Sequence, residues 1–183
     1  MKFFYLFLSL SFLTIVSCKS QKTVITQAEL DGFKTMVNSQ HFFIESSWAY
    51  PLNTNAMQQV LNSGLLQPGN SSGNISLVGN YNFLKVAGDS VTSHLPYYGE
   101  RRMQVAYGGT DSAIEFNGIV KNYKVQQNKD ASYTISFEAK SNTENFNVYI
   151  KLFSNNKSDI ILTSASRNSI SYSGEVKPTK PLE

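Results

Sequence analysis

Cysteine is nearly missing from this chain: one residue in 183, at position 18. A lone cysteine excludes an intrachain disulfide framework and any multi-thiolate metal site. Histidine is almost as scarce, with His41 and His94 far apart and near no tight acidic cluster. Neither an H-E-x-x-H helix nor a three-ligand catalytic metal site is readable, so each reads as a surface or hydrogen-bonded histidine and no metal or cofactor is expected. Charge of one sign is also lacking. Sixteen Lys and Arg stand against thirteen Asp and Glu, a net +3, and the only adjacent arginines are Arg101-Arg102. That balance speaks against a nucleic-acid partner, which needs a basic stripe. Finally, no apolar run reaches the roughly 20 residues that a membrane-spanning helix demands.

The longest mostly apolar run is Phe3 to Val16, behind a basic Lys2. Its length and flanks are those of an export signal. Ile15-Val16-Ser17-Cys18 closes it and resembles the site that a lipoprotein signal peptidase reads. The resemblance to bacterial lipoproteins implies loss of residues 1–17, alkylation of the Cys18 thiol by diacylglycerol, and acylation of the freed amine by a fatty acid such as palmitate. Two or three chains, at about 0.8 kcal/mol per buried CH2, anchor a protein stably where one does not. The expected partner is therefore a membrane, held through Cys18. Lys19, rather than an acid, follows the cysteine and is compatible with transfer to the outer membrane, on its periplasmic or its surface face.

Removing the signal leaves enough chain for one domain with a proper core. Residues 18–25 form the lipidated cysteine and a polar tether, whose seven residues after Cys18 span roughly 23 Å at about 3.3 Å each. Residues 26–177 form a single β-rich domain and 178–183 a tail. Thr26-Gln27-Ala28-Glu29 is a capping box, with Ile25 and Leu30 placed as a hydrophobic staple, so a helix of about three and a half turns starts there and buries Leu30, Phe33 and Val37. Phe42, Ile44, Trp48 and Tyr50 share one face of a strand that Pro51 stops. A short helix from about Thr54 to Asn62, started by Asn53, and a loop over Gln67 to Gly73 come next.

From Asn74 onward, short runs of period two are separated by turn signals about every ten residues: Gly79-Asn80, Gly88-Asp89, Gly108-Gly109, Asn128-Lys129-Asp130, Asn142-Thr143, Asn155-Asn156 and Arg167-Asn168. Ile114 and Phe116 alternate with polar neighbours, as do Phe146, Val148, Ile150 and Leu152. Strands that bury one face each must close on themselves or stack to remove their edges. The expected fold is mainly β, an antiparallel barrel with an N-terminal helix, with a β-sandwich as the alternative.

Catalytic motifs are present only as letters. Gly69-Asn70-Ser71-Ser72-Gly73 spells a nucleophile elbow but lies in a loop before a strand, where the strand-to-helix turn that the chemistry needs is missing. Ser154-Asn155-Asn156-Lys157 spells S-x-x-K but sits between two alternating strands, as a hairpin turn does. Asp89, Glu100, Asp111 and Glu115 could in principle supply paired acids, yet no spacing singles out a pair. No catalytic residue is assigned and an enzyme is not expected. A cavity with two convergent acids, or His94 facing a carboxylate, would favour one. The polar segment that stands out is Leu95 to Arg102, where Tyr97, Tyr98, Arg101 and Arg102 crowd together. Amphipathic rings beside guanidinium groups suit the rim of a ligand or partner site, and equally the cover of a barrel end.

Phe43 through Pro51, Asn82 through Ser90, Leu95 through Gly99, Ile114 through Gly118 and Ser169 through Gly174 together resemble, in order and over roughly Gln27 to Val176, a family of Gram-negative lipoproteins known as domain of unknown function 4251. The resemblance implies a lipocalin-like barrel after an N-terminal helix. It transfers no activity and no site. Two functional readings follow: a non-enzymatic module that binds an apolar small molecule or lipid in the barrel interior or mouth, and a structural or protein-interaction lipoprotein of the cell envelope. A filled interior would sink the cargo reading.

Overall fold

The computed structural model describes residues 25–65, 68–102, 113–141 and 144–179. The export signal, Cys18, most of the tether, Asp111 and the Gly108-Gly109 and Asn142-Thr143 turn signals lie outside them. Helix α1 spans Gln27–Ser39. Its capping box forms as the sequence predicts, with the Thr26 hydroxyl accepting from the Glu29 N–H and the Glu29 carboxylate accepting from the Thr26 N–H. Phe33, Met36 and Val37 are its buried residues, and Phe33 meets Tyr133 edge-on at 5.6 Å. The helix ends at Gln40, whose left-handed backbone (φ 54°) sends the chain straight into the first strand.

Ten strands follow: β1 (His41–Pro51), β2 (Ile75–Ser76), β3 (Phe83–Ala87), β4 (Ser90–Pro96), β5 (Ala113–Ile119), β6 (Lys121–Gln127), β7 (Tyr133–Lys140), β8 (Asn145–Leu152), β9 (Lys157–Ser164) and β10 (Ile170–Pro178), with helix α2 (Asn55–Asn62) between β1 and β2. All pairings are antiparallel, in the order β5-β4-β3-β1-β10-β9-β8-β7-β6, with β2 added to β1. The expected antiparallel β-barrel is thus what forms, nearly closed. First and last strands lie side by side, and the two ends of the path, β5 and β6, are joined through Val120 alone. Ala113 to Gln127 is in effect one bent length of chain that pairs first with β4 and then with β7. Gly118 (φ 147°) and Asn122 (φ 56°) make the bend, and the Val120 N–H donates to the Asp89 carbonyl at 3.0 Å. The free edges of an open sheet are thereby largely removed.

One strand departs from the expected parity. Phe42, Ile44 and Ser46 face inward, but the register slips between Ser46 and Trp48, so that Ala49 and Pro51 face inward next while Trp48 and Tyr50 do not. A β-bulge adds one residue and so reverses the alternation beyond it. Gly174 sits opposite Ser46, and a Cβ there would collide with the Glu45 carbonyl. The second helix also starts one residue later than expected: Thr54, not Asn53, caps it, its hydroxyl accepting from the Met57 N–H at 3.2 Å.

Candidate functional site

The barrel interior comes first, because a cargo site would lie there. Inward positions carry Phe42, Ile44, Leu84, Val86, Leu95, Ile135, Val148, Ile150, Ile160 and Tyr172, each at most 1% exposed, and they belong to one contiguous core. Full burial of side chains this large leaves the lumen packed with the protein's own atoms. The grooves of the domain open outside it: beside α1 (Phe33, Met36, Asn155, Thr179), and over the outer faces of the strands.

The rim residues are drawn together at one end of the barrel. Arg101 forms an isolated bridge with Arg167, the Arg102 N–H donates to Ser166 at 2.8 Å, and its Nε donates to the Asn168 side chain at 2.9 Å. The Tyr97 hydroxyl lies 2.8 Å from the Glu100 carbonyl and 3.0 Å from that of Asn168. At the centre are two residues that the sequence did not single out as a pair, Glu144 and Arg167. Arg167 Nε lies 2.8 and 3.0 Å from the two carboxylate oxygens of Glu144, and Nη2 lies 2.8 Å from Oε1. Arg101 approaches the same carboxylate at 3.4 Å. The Arg167 guanidinium lies 5.0 Å from the Tyr97 ring centre and 5.9 Å from that of Phe146. Burial raises the Tyr97 hydroxyl's pKa despite Arg167, and raises that of Tyr98 as well. Tyr172 completes this end by donating to the Pro96 carbonyl at 2.9 Å. The arrangement ties three connections of the barrel to one buried ion pair.

The motif letters resolve into turns. Ser71 and Asn74 exchange backbone hydrogen bonds within a short loop. Ser154 to Lys157 joins β8 to β9, with Lys157 paired to Glu175 at 2.7 Å. Among the described residues no three of His, Cys, Asp and Glu converge as metal ligands would.

His94 does face a carboxylate. The register of β4 with β5 sets it beside Glu115, with Nδ1 and Oε1 at the hydrogen-bond distance of 2.6 Å. The pair lies on the outer face, with the Glu115 side chain 63% exposed. Next to it runs a row of aromatic rings. Tyr81 is 73% exposed, yet it is held 5.2 Å from His94 and edge-on to Phe83 at 5.5 Å, and Phe83 stacks on Phe43 at 5.6 Å and 10°. Thr92 donates to Asn117 at 3.0 Å in the neighbouring row. Across the groove stand Lys140 and Ser141 from the end of β7, and the open groove has a volume of about 390 Å³. The sequence hid this site because Tyr81, His94 and Glu115 come together only through strand register.

A family model described as domain of unknown function (DUF4251) matches residues 26–176. The chain belongs to the DUF4251 family. A crystal structure at 1.95 Å of a DUF4251 family protein from Bacteroides eggerthii DSM 20697 is similar, at 15% identity, over 82% of this chain and 88% of that one, with a TM-score of 0.55. At that identity the likeness concerns the fold. No curated protein matches. This DUF4251 domain therefore has its architecture from kinship and its chemistry from its own residues.

Proposed function

We propose that this DUF4251 chain is a lipid-anchored cell-envelope protein that works by non-enzymatic binding on the outside of its barrel. The filled lumen carries the reading. A lipocalin-style cargo would have to displace side chains such as Ile150 and Tyr172, which are almost wholly buried, and so create a cavity at a cost of several kcal/mol. Small-molecule recognition thus moves from the barrel interior or mouth, where the sequence reading put it, to the outer aromatic row. The His94–Glu115 pair forms the polar edge of that row. Anchoring rests on Cys18, with Lys19 beside it favouring the outer membrane.

Every described element lies within residues 25–179, so a domain starting at Lys19 carries the whole fold. Mass spectrometry of an organic extract of that folded domain should find no stoichiometric apolar molecule. Cell fractionation should find the full chain in the outer-membrane fraction and a Cys18→Ala variant released from it. A tightly held apolar cargo would overturn external binding, and a Cys18→Ala variant that stays on the membrane would overturn the anchor.

A further inference from the structure

We infer that the outer groove over β4 and β5 is a saccharide-binding site, floored by Tyr81 and Phe83 and edged by His94, Glu115 and Asn117. This inference deepens the external-binding reading and rests on it.

The rings state one half of the chemistry. Tyr81 keeps most of its surface in water, where it forfeits the stabilisation that burial would give. A singly exposed tyrosine needs no explanation, but this one is braced by Phe83 and His94, and Phe83 is braced in turn by Phe43. Bracing fixes the ring faces in advance and lowers the entropy lost on binding. A ring face carries negative quadrupole density, which suits the slightly positive C–H face of a pyranose.

The edges state the other half. Glu115 uses Oε1 for His94, and its largely exposed carboxylate still offers Oε2 as an acceptor for a hydroxyl pair. Asn117 and Thr92 supply amide and hydroxyl groups in the adjacent row. A purely apolar ligand would take water away from Glu115 Oε2 without replacing its hydrogen bonds. Glu115 and Lys140 on the two sides of the groove give it no net charge that would select an anion or a cation. A neutral ligand with one apolar face and many hydroxyls satisfies all of them. The groove is open, with a volume of about 390 Å³, and would hold a ligand by one face.

A peptide added to the edge of β5 fits less well. An added strand needs a free lane about 4.8 Å wide, whereas Phe116 of β5 already meets Phe146 of β8 at 6.2 Å between ring centres and Lys140 and Ser141 lie across the groove.

The test applies the folded domain from Lys19 to a printed array of several hundred neutral and acidic glycans, then titrates any hit by calorimetry. The expected result is at least one neutral glycan whose affinity falls about tenfold or more in both Tyr81→Ala and Glu115→Gln. Tyr149→Ala, on a different strand and 48% exposed, should bind as the unaltered domain does. All three variants should melt with the unaltered domain, since each changed side chain is well exposed. A blank array, or a hit indifferent to Tyr81→Ala, overturns the saccharide assignment. External binding survives that result unless the extract also contains an apolar cargo. Displacement of a bound glycan by an envelope peptide that pairs with β5 would replace the saccharide with a peptide.

Discussion

The two faces of the same strands follow different rules. On β4 and β5 the inward set is Val91, Leu95, Ile114 and Phe116, each at most 4% exposed, while between them stand His94, Glu115 and Asn117 in water. The inner face is filled to the point where nothing else can enter. The outer face carries rings and carboxylates that the fold does not need. Burial explains the first, and the braced but exposed aromatic row is what the proposed external binding would use. Function in this barrel is therefore sought where stability is least at stake.

The sharpest way to break that contrast is to compare two partnered carboxylates. Glu144 is 7% exposed and holds Arg167, whereas Glu115 holds His94 in solvent. Glu144→Ala leaves a buried guanidinium uncompensated and should cost about 3–5 kcal/mol in urea unfolding. Glu115→Gln should cost under about 1 kcal/mol. Replacing Glu144 and Arg167 together by Leu and Met should recover part of the loss, because the orphaned charge goes with its partner. A Glu144→Ala variant as stable as Glu115→Gln would erase the distinction between a buried and a solvent-facing carboxylate.

A finer comparison uses neighbours of identical chemistry. Ile160 is fully buried and Ile161 is 45% exposed, one residue apart on β9. Ile160→Ala should cost about 2–5 kcal/mol through lost burial and the cavity left behind. Ile161→Ala should cost under about 1 kcal/mol. Equal losses would mean that β9 is packed on both sides, and that the outer face is a buried interface in solution.

Much of this division was legible in the residues. Alternation alone gave the inward sets of β5 and β8, because one face buried and one in water is what period two encodes. The capping box gave the start of α1. What failed did so for stated reasons. Trp48 and Tyr50 were placed with Phe42 and Ile44, but a bulge at Ser47 adds a residue, and no local signal in Ser46-Ser47 announces it. The Glu144–Arg167 pair and the Tyr81–His94–Glu115 row depend on the register between consecutive strands, which alternation within each strand does not fix. Composition placed Tyr97 and Arg101 in a crowded segment, but only closure of the barrel brings Glu144 to them.

The smallest effect tests how tightly the inner face is closed at its seam. Tyr123 on β6 stacks on Phe137 at 5.9 Å and 14°, and its buried hydroxyl has no hydrogen-bond partner among the described residues. Burial pushes its pKa up to about 12, and burial likewise raises that of Tyr172. The folded state then holds these protons more tightly than the unfolded chain, whose tyrosines titrate near 10. Above about pH 10 the unfolded state binds fewer protons, so stability is complete below that pH and declines as pH rises towards 12 and beyond. Tyr123→Phe keeps the stacked ring and removes the unpaired hydroxyl. At pH 7 it should leave the melting temperature unchanged or raise it, by less than about 1 kcal/mol in stability, and between pH 10 and 12 the decline should become shallower, with Tyr172 supplying what remains. A loss above about 1 kcal/mol at pH 7 would mean that the hydroxyl has a partner at the seam, and that the barrel is more tightly locked between β5 and β6 than its inner packing requires.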